Sequence, residues 1–172
     1  MRTMPTHIAL LRAINVGGTG KLPMADLREL CEKLGFRDVR TYIQSGNIVF
    51  TSALDASKSK AKLEKALAER LGKPCRVLIR TRAELEAVDK HNPFPEAPSN
   101  RVIVTFLDEA PGPKAIDGVK TPGGERLALR GRELYIHFPD GAGSSKLKVP
   151  FADIGTGRNI NTVRKLVELA SE

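Results

Sequence analysis

The sequence contains no tryptophan, and aromatic residues make up only 5% of its 172 residues. Surfaces that stack nucleic-acid bases are built from aromatic side chains, so the chain has little with which to form one. Its two cysteines, Cys31 and Cys75, are too few for a disulfide scaffold and lack the spacing of a zinc site. No apolar run approaches the roughly 20 residues that a membrane helix needs. Residues 1–7 also lack a signal-peptide pattern, so we expect a reduced, cytoplasmic protein without a membrane segment.

Acidic residues are scarce in the first half of the chain. Residues 1–80 carry 15 lysines and arginines against 7 aspartates and glutamates, whereas residues 81–172 carry 13 of each kind. The net charge of +8 therefore belongs entirely to the first half. A basic half invites anionic partners such as nucleic acid, phosphorylated metabolites or an acidic protein surface. The hydrophobic fraction of 41% and the charged fraction of 28% are typical of a globular protein.

The hydrophobic pattern of the first half predicts four strands and two helices. Apolar residues recur at helical spacing after Pro23, and a second amphipathic segment ends at Gly72. The predicted strands are 7–14, 39–43, 48–50 and 75–79, and the predicted helices are 23–34 and 58–71. The order β-α-β-β-α-β is that of the ferredoxin-like fold.

The second half predicts a degraded version of the same order. Thr81 and Glu84 form a capping box for a further helix to about Lys90, and the proline-rich residues 92–98 make a linker. The predicted elements after the linker are strands at 102–107, 127–130 and 134–138 and helices at 146–152 and 162–170.

We therefore expect an α+β protein with three segments: a ferredoxin-like basic half over 1–80, a helix and linker over 81–98, and a related second α+β half over 99–172. The strands at 8–11 and 48–50 are apolar on both faces. Strands with this pattern are normally buried on both faces. We expect the second half to pack on the first and cover the sheet face that the helices leave open.

Glycines and polar side chains follow the first and second strands. In this topology the two segments lie at the same end of the sheet, because the first and second strands run in the same direction. Glycine-rich backbone and cationic or amide side chains are suited to holding an anion. The predicted ligand-binding residues here are Arg12, Asn15, Gly17, Gly18, Lys21, Gln44, Ser45, Gly46 and Asn47.

This glycine-rich segment does not fit the phosphate-binding loop of ATPases. That motif requires a glycine where Asn15 stands and a hydroxyl side chain where Leu22 stands. The histidines are scattered without ligand spacing, so we predict no metal site and no cofactor.

Three other basic features have simpler interpretations. Lys58, Lys62 and Lys65 follow the polar face of the second helix, where solvated charge is common. Arg76 and Arg80 alternate along the fourth strand, as charges that guard an edge strand do. The segment 141–146 is a candidate second anion-binding loop, although a flexible loop with a capping serine is the simpler interpretation.

Several runs of residues resemble the bacterial family known as domain of unknown function 1697. The N-terminal runs are Arg12-Ala13-Ile14-Asn15-Val16-Gly17-Gly18, Leu22-Pro23-Met24-Ala25-Asp26-Leu27, Leu34-Gly35-Phe36 and Thr41-Tyr42-Ile43-Gln44-Ser45-Gly46-Asn47. The later ones are Asn92-Pro93-Phe94, Ser145-Lys146-Leu147, Arg158-Asn159 and Thr162-Val163. The resemblance implies a bacterial cytoplasmic protein with a duplicated ferredoxin-like fold and no established activity.

The same resemblance implies that Arg158 and Asn159 are ligand-binding candidates. Members of the family often carry glycine where Ala13 stands and an aromatic residue, usually tryptophan, where Ile160 stands. Stacking of an aromatic side chain on a ligand at that second position is therefore absent from this chain.

The leading hypothesis is that the protein binds an anionic ligand, either phosphate-bearing or a nucleic-acid backbone, through the 12–21 loop and the 44–47 hairpin. One alternative is an enzyme acting on a small phosphorylated or carboxylated metabolite, which Arg12 would hold while Gln44, Ser45 or Asn47 positioned it. Another is an interaction module that uses the basic helix at 58–71. The sequence leaves the ligand, any reaction and the oligomeric state open.

Overall fold

A computed structural model of the chain describes residues 5–12, 22–42, 46–150 and 155–171. Within these ranges the chain forms two four-stranded antiparallel sheets and four α-helices, which confirms the predicted α+β class. The elements of the first sheet and its helices are β1 (Thr6–Leu11), α1 (Met24–Lys33), β2 (Arg37–Tyr42), β3 (Asn47–Thr51), α2 (Ala56–Leu71), β4 (Val77–Thr81) and α3 (Arg82–Lys90). Those that follow are β5 (Val102–Phe106), β6 (Arg126–Arg130), β7 (Glu133–His137), β8 (Thr156–Asn159) and α4 (Ile160–Ala170). Two short 3-10 helices cover Ser99–Arg101 and Ala142–Ser144.

The first sheet has the strand order β2-β3-β1-β4, with every neighbouring pair antiparallel. This is the ferredoxin-like arrangement that the sequence predicted. Strand β4 lies at the edge of the sheet, as expected, but Arg80 is only 2% exposed. The expectation that Arg80 guards this edge in solvent is therefore wrong.

Local chemistry accounts for where the helices of the first half begin and end. The Asp55 carboxylate accepts the Lys58 backbone N–H at 2.8 Å and caps α2, which ends at Gly72 with a φ of 73°. The predicted capping box of α3 is confirmed, because Thr81 Oγ1 accepts from the Glu84 N–H at 3.1 Å and Glu84 Oε1 accepts from the Thr81 N–H at 2.9 Å.

The core of the first sheet lies between that sheet and helices α1 and α2. Phe36 and Phe50 stack at its centre, with ring centroids 4.3 Å apart and planes 12° from parallel. Cys31 on α1 is fully buried in the same cluster and is therefore a packing residue. The other face of this sheet is buried too: Ile8, Leu10, Val49 and Leu78 have no exposed surface. The predicted burial of both faces is confirmed.

The second sheet repeats the first in strand order and in register. Its order, β6-β7-β5-β8, places each strand where its counterpart lies in the first sheet. The hydrogen bond from the Leu11 N–H to the Gly46 carbonyl at 2.9 Å has a counterpart from the Leu107 N–H to the Arg132 carbonyl, also at 2.9 Å. The second half is therefore a related copy of the first, as predicted.

The copy differs from the prediction in two places. The described part of the predicted helix at 146–152 is not helical, and the nearest regular element is the 3-10 helix at Ala142–Ser144. Residues 151 and 152 lie outside the described residues. Strand β8 was not predicted, because its sequence Thr-Gly-Arg-Asn contains no apolar residue.

The chain divides into two compact units, and one of them is formed by two separate segments of the sequence. Unit 1 comprises residues 1–85 and 166–172, and unit 2 comprises residues 86–165. Within unit 1, the Arg40 guanidinium donates a hydrogen bond to the Leu169 carbonyl near the end of α4. Within unit 2, the Tyr135 hydroxyl donates to the Val88 carbonyl of α3 at 2.7 Å. Unit 2 thus includes the end of α3, which follows the last strand of the first sheet. Unit 1 includes the end of α4, which follows the last strand of the second sheet.

His7 is a buried polar residue in the core of unit 1. Its side chain is 3% exposed, its ring lies 5.6 Å from that of Phe50, and neither ring nitrogen has a hydrogen-bond partner among the described residues. Burial lowers the pKa of His7 below its ordinary 6.5, while the Leu54 backbone and the Asp55 carboxylate act more weakly in the opposite direction. The folded protein therefore favours the neutral imidazole.

The protein is expected to lose stability through His7 as the pH falls from 7 through 6.5, because the unfolded chain binds the proton more tightly than the folded chain does. His7→Phe should remove that part of the pH dependence. It should also raise the free energy of unfolding at neutral pH by up to about 1 kcal/mol, since it removes two unsatisfied buried nitrogens. Urea denaturation at neutral and mildly acidic pH measures both effects, with the exposed His91→Phe as the control. An unchanged pH dependence in His7→Phe would contradict the prediction.

Candidate functional site

The end of the unit 1 sheet that carries the predicted site is held together by backbone hydrogen bonds. The bond from the Leu11 N–H to the Gly46 carbonyl places the end of β1 beside the turn before β3. Gly46 has a φ of 79°, a conformation that favours glycine. The two segments singled out in the sequence therefore meet at Leu11 and Gly46.

A second arginine lies beside Arg12 at this end. The Arg12 N–H donates to the Arg76 carbonyl at 3.0 Å, so the residue that follows β1 lies beside the residue that precedes β4. Arg76 is exposed and Arg12 is half-buried. From the sequence, Arg76 was predicted only to be a charged residue that protects an edge strand from pairing with another chain. The ferredoxin-like order could have identified it, because that order places the fourth strand beside the first.

The start of α1 and the end of α2 lie at the same end of the sheet. Asp26 in the first turn of α1 is 3.3 Å from the Arg70 guanidinium in the last turn of α2, and Glu64 Oε2 accepts from the Val77 N–H at 2.9 Å. Pro23 is the N-cap residue of α1, and no side chain of the described residues caps this N-terminus. Helix N-termini favour anions.

Cys75 lies against the backbone of this end, with Sγ 3.8 Å from the Arg12 carbonyl oxygen. Burial raises the pKa of the Cys75 thiol, Glu64 raises it further, and Lys73 acts in the opposite direction. Burial also raises the pKa of the Cys31 thiol to about 12. A thiol held protonated is a poor nucleophile, so neither cysteine is suited to covalent catalysis.

The remaining predicted residues of this end fall into two groups. Asn47 has no exposed surface, and its Nδ2 donates to the Tyr42 carbonyl at 3.1 Å across the turn between β2 and β3. Its side chain therefore stabilises the turn, and its contact with a ligand stays a prediction. The candidates that lie outside the described residues are Asn15, Gly17, Gly18, Lys21, Gln44 and Ser45.

Arg158 and Asn159 lie on β8 in unit 2. Arg158 is 7% exposed, and its Nη1 donates to Thr156 Oγ1 at 2.8 Å and to the Gly157 carbonyl at 2.9 Å. Burial lowers the pKa of the Arg158 guanidinium to about 10. Asn159 Oδ1 accepts from the Thr162 N–H at 2.9 Å and caps α4.

Both residues have counterparts in unit 1. Arg80 pairs with Ile8 in β1, and Arg158 pairs with Val104 at the same position of β5. The residue after each arginine caps the helix that follows, Thr81 for α3 and Asn159 for α4. Both arginines are buried in the same structural context, so their positions belong to the duplicated framework of the fold.

The comparisons with known proteins agree with this architecture. A family model described as "Protein of unknown function (DUF1697)" matches residues 4–135. The chain belongs to the DUF1697 family. This confirms the resemblance identified from the sequence runs, while Arg158 and Asn159 fall beyond the matched segment of this DUF1697 protein.

A solved structure shares the fold of this DUF1697 protein over almost its whole length. It is described as a conserved bacterial protein, SP0830, from Streptococcus pneumoniae. The two are 27% identical with a TM-score of 0.80, and the similarity covers 98% of this chain and 99% of the other. A search of curated proteins found no match.

None of the described helices is long and apolar enough to cross a membrane. Three or more metal-ligating side chains do not cluster anywhere in the part of the chain that the structure describes.

Proposed function

We propose that this DUF1697 protein binds a phosphate-bearing anionic ligand at the end of the unit 1 sheet, between Arg12 and Arg76. The observation that carries the proposal is the hydrogen bond from the Arg12 N–H to the Arg76 carbonyl, which holds the backbones of two arginines side by side at the end of β1 and the start of β4. Arginine suits this task because its planar guanidinium donates two parallel hydrogen bonds to a phosphate. Gly46 lies on the other side of β1, and glycine has no side chain that would keep a ligand from the backbone.

The composition favours a compact ligand over a long nucleic acid. With 5% aromatic residues and no tryptophan, the chain has few side chains on which bases could stack. Binding of a nucleic acid would then depend on its phosphates and weaken steeply with salt. A small phosphorylated molecule held by two guanidinium groups fits the paired arginines better.

Replacing either arginine is expected to weaken binding of the phosphorylated ligand. A thermal-shift screen of phosphorylated metabolites identifies a stabilising compound, and calorimetry then measures its affinity. Arg12→Ala and Arg76→Ala should each reduce the affinity at least about tenfold, or about 1.4 kcal/mol. The double variant should lose less than the sum of the two single losses, because residues that contact one ligand are energetically coupled.

The matched control is Arg37→Ala. Arg37 is exposed and pairs with Thr51, at the opposite end of the same sheet. The Arg37→Ala variant removes the same charge from the same unit, but far from the proposed site, so it should leave the affinity for the ligand unchanged. A screen in which no phosphorylated compound stabilises the protein would refute the small-ligand proposal, as would equal losses in Arg37→Ala and Arg12→Ala. Gel shifts with duplex DNA at low and moderate salt test the nucleic-acid alternative.

A further inference from the structure

Among the described residues of unit 2, no α-helix covers the sheet face equivalent to the one that α1 and α2 cover in unit 1. In unit 1, α1 and α2 pack on the first sheet, and fourteen described residues form a buried apolar cluster there. On the equivalent face of the second sheet the buried cluster comprises four described residues, with six apolar side chains only partly buried against it. The described parts of the two connections, residues 107–125 and 138–155, contain no α-helix. Among the described residues, fewer apolar side chains are thus buried against this face of the second sheet than against the equivalent face of the first.

A groove of about 520 Å³ lies beside this apolar cluster. Val119, which lines it, also packs against the apolar cluster of the second sheet. The remaining lining is apolar at Ala115, Pro122 and Pro150 and charged at the rim. Concave, mostly apolar sites with a few charged groups are typical binding sites for small molecules.

The charge at the rim of the groove is positive. Lys120, Lys146 and Lys148 line it together with one acidic residue, Asp117. All three lysines are exposed, and none forms a salt bridge with another described residue. Residues 81–172 carry no net charge as a whole, so this is a local excess in a neutral half.

The adjoining cavity determines where an anionic group can lie. That cavity, of about 150 Å³, shares Pro122 and Lys146 with the groove and is lined by Glu125. Glu125 is 6% exposed, and its carboxylate accepts hydrogen bonds from the Gly123 N–H at 3.0 Å and the Ser145 hydroxyl at 3.1 Å. A buried carboxylate repels an anion from the cavity. This disfavours the candidate anion-binding loop at 141–146 and directs an anionic group to the lysine rim.

We propose that this groove binds a small organic acid with an apolar chain, such as a medium-chain carboxylate. The apolar chain of the ligand lies against Val119 and Pro122, beside the apolar cluster of the second sheet. The carboxylate lies at the rim, where the three lysines neutralise it. This site is in unit 2 and does not depend on the arginines of unit 1.

The experiment is a calorimetric titration of the full chain with octanoate, 1-octanol and acetate. Octanoate is expected to bind, whereas octanol lacks the charge and acetate lacks the chain, so each should bind at least about tenfold more weakly. The triple variant Lys120→Gln, Lys146→Gln and Lys148→Gln should reduce the octanoate affinity at least about tenfold and leave octanol binding unchanged.

The matched control is the triple variant Lys58→Gln, Lys62→Gln and Lys65→Gln, which removes the same charge from the exposed face of α2. It should bind octanoate as the unchanged protein does, and so should Arg12→Ala, which separates this site from the one in unit 1. No binding of octanoate, equal binding of octanol, equal losses in the two lysine variants, or binding only to anionic vesicles would each overturn the proposal.

Discussion

Replacing Arg158 by alanine is expected to lower the free energy of unfolding by about 2 to 4 kcal/mol. The guanidinium is buried and donates hydrogen bonds to Thr156 Oγ1 and to the Gly157 carbonyl. Removing it leaves these two acceptors without that donor and opens a cavity beside β8. Urea denaturation followed by circular dichroism measures the loss.

Two further variants separate packing from charge and from ligand binding. Arg158→Met keeps most of the side-chain volume, so it should cost less than Arg158→Ala if the cavity dominates the loss. Arg164→Ala is the surface control, because Arg164 is exposed and its contact with Asp89 is a surface ion pair, which contributes at most about 1 kcal/mol. If Arg158→Ala kept its stability but lost a ligand, Arg158 would be a binding residue, as the family resemblance implied.

Replacing Phe50 by alanine is expected to cost about 3 to 5 kcal/mol of unfolding free energy. Phe50 is fully buried on β3, stacks on Phe36 and faces the ring of His7. Its loss removes a large apolar surface and leaves a cavity that the stacked ring and the surrounding strands cannot close. Chemical denaturation at neutral pH measures the change.

The conservative variant Phe50→Leu should cost less than half as much, because it retains most of the apolar volume. Lys62→Ala on the exposed face of α2 should change the stability by no more than about 0.5 kcal/mol. A loss below about 1 kcal/mol in Phe50→Ala would show that the space closes and that the Phe36–Phe50 stack is not the centre of the core.

The duplication changes how the arginines of this protein are interpreted. Arg80 and Arg158 looked different in the sequence, one as a charge on an edge strand and the other as a binding candidate. The shared register gives them one position, at the last strand of each sheet and just before a helix cap. Arg12 and Arg76 are more accessible and lie where the predicted loops meet. They are therefore the better candidates for contact with a ligand.

Features that depend on neighbouring residues were predictable from the sequence. The capping box of Thr81 and Glu84 needs only residues three positions apart, and it formed as predicted. The hairpin around Gly131 needs only a tight turn between two apolar segments, and β6 and β7 pair there. Gly46 and Gly72 adopt the positive φ expected of glycine in a turn and at a helix end.

Features that depend on distant partners were not predictable. Strand β8 has no apolar pattern, and it exists because β5, some fifty residues earlier, offers it a backbone edge. The described part of the predicted helix at 146–152 is irregular. Its apolar residues Leu147 and Val149 nevertheless pack in the apolar cluster of the second sheet. Apolar residues at every second position also suit an extended segment, so the pattern did not distinguish the two conformations.

Composition and local sequence pattern were enough to predict the α+β class, the ferredoxin-like order of the first half, the related second half and the concentration of positive charge in residues 1–80. These follow from hydrophobic periodicity, turn residues and composition, which act over a few positions of the chain. The folded chain alone reveals the burial of Arg80 and Arg158, the position of Arg76 beside Arg12, the division of α3 and α4 between the two units, and the groove beside the apolar cluster of the second sheet. Burial and backbone pairing join residues far apart in the chain, and no local pattern records such a pair.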